Sequence, residues 1–65
     1  MNNTQMENLR NGGMIMRRMS YYASESFWIA DNTEANKKLL IENNISFNIH
    51  NFIAADGTRG NRLEF

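Results

Sequence analysis

The chain has 65 residues, seven basic and seven acidic side chains, no cysteine and no proline. At 7.6 kDa it has room for one small domain and none for a separate cofactor-binding fold, because a chain of this length buries only about 60% of the surface it exposes when unfolded. The absence of cysteine excludes disulfide staples, thiolate metal sites and thiol nucleophiles, while zero formal charge and a pI near 6.5 argue against a protein that coats a polyanion.

The longest apolar runs, such as Phe27 to Ala30 and Leu39 to Ile41, fall far short of the roughly 20 residues that a membrane span requires. The N-terminus carries neither the basic start nor the apolar run of a secretory signal, so a cytoplasmic protein without a membrane partner is expected. Eleven asparagines and six isoleucines, with valine absent, are what AT-rich coding produces, as in a low-GC bacterium or its phage. The asparagines are dispersed, which suits turns, caps and polar strand faces.

Residues 1–13 form a separable N-terminal segment. Thr4 and Glu7 stand in capping-box spacing, Met6 and Leu9 share a helical face, and Asn11-Gly12-Gly13 is a stop, so the expectation is a short helix ending at Arg10 or a frayed tail. Gly12-Gly13 ahead of Met16 is also compatible with a ribosome-binding sequence, and translation from Met16 would leave residues 1–15 outside the product. The remainder, 14–65, reads as a single α+β domain.

Between Ile15 and Asp31, aromatic and β-favouring residues flank the polar break Ser24-Glu25-Ser26, which predicts strands over about 15–22 and 26–30, joined by a tight turn or interrupted by a bulge. Strict alternation puts Tyr21 and Tyr22 on opposite faces, one of them in the core. Asp31-Asn32-Thr33-Glu34 reads as a capping box with Asp31 as N-cap, opening a helix with Ala35, Leu39 and Leu40 inward and Asn43-Asn44 as a left-handed stop. Ile45 to Ile53 then alternates as a half-buried strand, Ile45, Phe47 and Ile49 on one face, with Phe52-Ile53 covered on both sides. Asp56-Gly57 is a turn, and residues 61–65 return as a short edge strand or stay loose. The sum is a small β-β-α-β(-β) domain, one helix on a three- or four-stranded sheet, with a right-handed crossover if strands 26–30 and 45–53 lie side by side in parallel.

Residues 27–55, a strand ending in Asp31, a capped helix, an asparagine stop and an alternating strand, resemble the second half of an ACT-type regulatory domain. The resemblance implies a ferredoxin-like half and a ligand-sensing module in which a cleft between two copies receives a small metabolite near Asp31 and Asn32.

No catalytic constellation emerges. His50 is the sole histidine and has no ligand or nucleophile at interpretable spacing; Ser24, Ser26 and Thr58 lack a base; the glycines form no phosphate loop. No enzyme, no metal site and no cofactor are expected. Arg17, Arg18, Tyr21 and Tyr22 suggest a nucleic-acid surface, extended by Lys37, Lys38, Arg59 and Arg62, but the neutral balance works against it. Seven aromatics and five methionines exceed what one helix on a small sheet hides, and Tyr, Trp, Met and Arg are typical of interfaces. The preferred expectation is therefore a non-enzymatic protein-binding module. It pairs with itself through an edge strand or aromatic sheet face, or covers a host protein as a phage-encoded inhibitor would. Tyr21, Tyr22, Trp28 and Phe52 are its anchors, with Arg17 and Arg18 at the rim.

Overall fold

A computed structural model describes all residues, 1–65. Helix α1 spans Asn3–Asn11, and its capping box is made by Asn2 and Gln5 instead of Thr4 and Glu7. The Gln5 N–H donates to Asn2 Oδ1 (2.8 Å) and the Asn2 N–H to Gln5 Oε1 (2.9 Å), which satisfies two of the helix's orphan donors reciprocally. The helix thus starts two residues earlier than expected, and it carries Leu9 into the core. Gly12 closes it where α1 comes against the second helix. A Cβ there would lie 2.5 Å from Leu39 Cδ2, so only glycine fits without displacement.

Strands β1 (Arg17–Tyr22) and β2 (Glu25–Asp31) form an antiparallel hairpin. The polar break is the turn of a hairpin and not a bulge in one long strand. Ala23 and Ser24 make a two-residue turn, and a bulge between Met19 and Tyr22 shifts the register by one residue. The Ser20 hydroxyl donates to the carbonyls of Tyr22 and Glu25 across it. The bulge cancels the alternation expected at Tyr21 and Tyr22: neither is core, and they stay 54% and 70% exposed.

Helix α2 spans Glu34–Glu42 and is capped by Thr33, whose hydroxyl accepts from the Asn36 N–H at 3.1 Å. Asp31 is not the cap. Its backbone is still in β2, in register with Arg62, so the chain leaves the sheet only after it and Thr33 takes the capping place. The exit from α2 is as expected, with Asn44 left-handed at φ 58°.

Strands β3 (Asn48–Ile53) and β4 (Arg59–Glu64) form a second hairpin, closed by a turn in which Asp56 Oδ1 accepts the Thr58 N–H at 2.9 Å. That bond, with one from the Thr58 hydroxyl, holds the Asp56 carboxyl below the pKa of a free aspartate. The sheet order is β1-β2-β4-β3, antiparallel throughout. Residues 61–65 are thus neither loose nor an edge; β4 is central, and it separates β2 from β3. These two run in the same direction without touching, so β2-α2-β3 is a split β-α-β unit. Moving β4 ahead of α1 would give the β-α-β-β-α-β order of ferredoxin-like folds, which accounts for the ferredoxin-like look of residues 27–55.

The core is one layer between the sheet and both helices: Leu9, Met14, Ala30, Leu40 and Leu63, edged by Met16, Leu39, Ile45, Phe47 and Phe65. A chain begun at Met16 would lack two of those five. The end of β3 is not covered on both sides; as an outer strand beyond the helices it leaves Phe52 39% and Ile53 69% exposed. Leu63, fully buried on the central strand, joins both hairpins to the helices. Leu63→Ala is expected to cost about 2–5 kcal/mol, read as a lowered urea midpoint by circular dichroism. A loss below about 1 kcal/mol would place β4 outside the core.

Candidate binding face of the sheet

Alternation and register sort the strand residues into two faces. Ala30 and Leu63 pack with the helix leucines, so Ile29, Asp31, Arg62 and Glu64 point the other way. Their in-register partners follow: Arg17 with Ile29, Met19 with Phe27, His50 with Arg62, Phe52 with Gly60 and Asn48 with Glu64. Both helices lie on the first face, and the molecule is only 16 Å through its thinnest dimension. The second face is bare.

Its middle is organised around Glu64. Arg62 donates from Nε to Glu64 Oε2 at 3.1 Å and from Nη2 to the Tyr21 hydroxyl at 3.3 Å; that hydroxyl donates on to Glu64 Oε2 at 3.3 Å. His50 Nδ1 stands 4.0 Å from the same oxygen. Tyr21 reaches Glu64 by lying across β2, its ring 5.0 Å from that of Phe27. Partial burial opposes the charge on Arg62, but the hydrogen bonds to Glu64 and Tyr21, together with the Glu64 charge, more than offset this and hold the guanidinium above its ordinary pKa.

The outer end is built on Gly60. The tip of the Phe52 ring lies against it, and Arg62 stands over that ring at 5.8 Å, within cation–π reach. Beside them a depression of about 360 Å³ is lined by Ile15, Arg17, Ile29, Asp31, Phe52 and Arg62. Arg17 and the Asp31 carboxylate differ from the other charges of this face: neither makes a hydrogen bond or ion pair within its own chain. The face carries two arginines and two carboxylates, a balance of zero.

The structure divides the residues that the sequence groups together. Arg17, Tyr21 and Phe52 share the bare face. Arg18 is on the other, bonded to the Ser26 hydroxyl and 5.0 Å above the Trp28 ring. Trp28 is half-buried on the helix side, exchanging backbone hydrogen bonds with Phe65. Tyr22 stands at the hairpin tip. Arg17, Arg18, Tyr21 and Tyr22 are therefore not one basic-aromatic surface. Asp31 and Asn32 also part company, since Asn32 bonds to Asn61, which alternates with Leu63 toward the helices. Phe27, Ile29 and Glu64 join the face unannounced, and with them come Met19, His50 and Arg62, the last named by the sequence only as an extension of the basic group. The signal for the β4 pair was the spacing of Arg62 and Glu64 about a single leucine.

No group of three or more histidine or acidic side chains is placed to hold a metal ion, and no helix is long and apolar enough to cross a membrane. No family model, no curated protein and no solved structure matches the chain.

Gly60 tests the outer end of the face. A Cβ would come 2.7 Å from Phe52 Cζ, so Gly60→Ala should swing the ring away and leave the strand pairing intact. The expected result is loss of the nuclear Overhauser contacts between Phe52 and Arg62, with β3–β4 backbone contacts retained. Unchanged ring contacts would contradict the packing described.

Proposed function

We propose that the protein is a non-catalytic protein-binding module whose bare sheet face is its docking surface, and that two copies close on each other through that face. The observation that carries this reading is a sheet covered on one side only, with Met19, Tyr21, Phe27, Ile29 and Phe52 on the uncovered side. Antiparallel sheets with a solvated face normally show polar residues there. Here aromatic, methionine and arginine side chains take those places, the types enriched where protein surfaces meet.

Area supports the same reading. A folded monomer of this mass exposes about 4300 Å², whereas this chain exposes 4900 Å². The excess of roughly 600 Å² approaches the ~800 Å² that each partner contributes to an ordinary stable interface. Charge favours one kind of partner: a balance of zero limits the electrostatic drive for nucleic-acid binding, while a neutral aromatic face suits a protein surface. A second copy supplies such a surface at no cost in new sequence.

Light scattering coupled to size exclusion should give twice the 7.6 kDa chain mass. Phe52→Glu and Met19→Glu, each placing a charge on the bare face, should return the protein to the single-chain mass. Ile53→Glu, next to Phe52 but on the opposite face, should leave the dimer intact. A monomer at high micromolar concentration, or equal effects of F52E and I53E, would overturn the reading.

A further inference from the structure

Resting on that reading, we infer that the two copies are held in one register by reciprocal ion pairs, Arg17 of each chain to the partner's Asp31. These are the charged groups of the bare face that have no ion pair or hydrogen bond in their own chain, and both line the same depression. Isologous contact needs such a self-complementary pair, because under a two-fold axis whatever Arg17 meets must in turn meet Arg17.

The register fixes where that axis lies. Arg17 is opposite Ile29, and Asp31 is two residues further along β2. With strands about 4.8 Å apart and about 3.3 Å per residue along each, the two residues are a diagonal pair. An axis in the plane of the interface, crossing the midpoint of that diagonal at right angles, sets Arg17 on the partner's Asp31 and Asp31 on the partner's Arg17. The same axis passes beside Ile29, which then meets its own copy, and it carries Phe52 toward the partner's Tyr21. It also sets the strands of the two sheets crossing at about 70°, close to the orthogonal class of sheet packing. Apolar contacts thus fall at the centre and charge pairs beside them. Glu64 also comes near the axis, but its charge is already matched by Arg62 and by the Tyr21 hydroxyl.

The charges can be reversed at little expense to the fold, since neither residue has an intrachain partner to lose. Arg17→Asp and Asp31→Arg, made separately and checked for native circular dichroism, should each weaken self-association by at least about tenfold, because each reversal sets like charges together twice. Mixed in equal amounts, they should recover wild-type affinity as a heterodimer, distinguished from either homodimer by native mass spectrometry, because one chain is then acidic and the other basic at both positions. Arg59→Asp, in register with Ile53 on the helix side, should have no effect. A wild-type dimer indifferent to both reversals, or reversals that dissociate it without rescue on mixing, would overturn the ion pairs while leaving face-to-face docking in place. A monomeric wild type would overturn the docking itself.

Discussion

The structure depends on a single layer of apolar contact between Leu63 and Ala30 of the sheet and Leu9 and Leu40 of the two helices. Only three side chains are wholly removed from water, all of them leucines, and no disulfide supplements them. With so little apolar volume, one side of the sheet is all that the helices can cover. Everything on the other side follows from this constraint: the strands still alternate, and the alternate residues have no element of their own chain to pack against.

Those residues pack instead against one another. Tyr21 crosses Phe27 to reach Glu64, Phe52 folds over Gly60, and Arg62 caps Phe52 while bonding to Glu64 and Tyr21. Together these contacts cover parts of the aromatic rings and satisfy Arg62, Glu64 and the Tyr21 hydroxyl. On the proposed docking, side chains already held in this way would lose little conformational freedom, which lowers the entropic cost of association. Arg17 and the Asp31 carboxylate take no part in these contacts, and their unmatched charges give the face a direction that its apolar residues alone would not.

Much of the architecture was legible in the sequence because it rests on local chemistry. The helix after Thr33, its stop at Asn43-Asn44, the strand pair around Ser24 and a strand through Ile49, though one that begins at Asn48 and not at Ile45, follow from caps, turn residues and periodicity. What escaped depends on tertiary contact. Strand β4, Arg-Gly-Asn-Arg-Leu-Glu, holds one apolar side chain and reads as an exposed edge. It is central because one leucine suffices on the covered side and its other side faces no core. The bulge at Ser20 rests on a hydroxyl reaching two carbonyls, which no pattern announces, and it sets Tyr22 opposite Glu25, off the helix side. Asp31 read as a helix cap because four residues fit the capping box. Pairing with β4 kept it in the sheet and freed its carboxylate. The candidate site was therefore half visible: Arg17, Tyr21 and Phe52 were readable as residue types, but their common face was set by the register of β4.

The central claim, that the uncovered face is where two copies meet, is tested most directly by following backbone amide resonances through a dilution series from millimolar to low micromolar protein. The account predicts concentration-dependent shifts concentrated at Arg17, Met19, Tyr21, Phe27, Ile29, Asp31 and Phe52, with α1 and α2 unaffected. Resonances that do not move on dilution, or shifts confined to the helices, would contradict it.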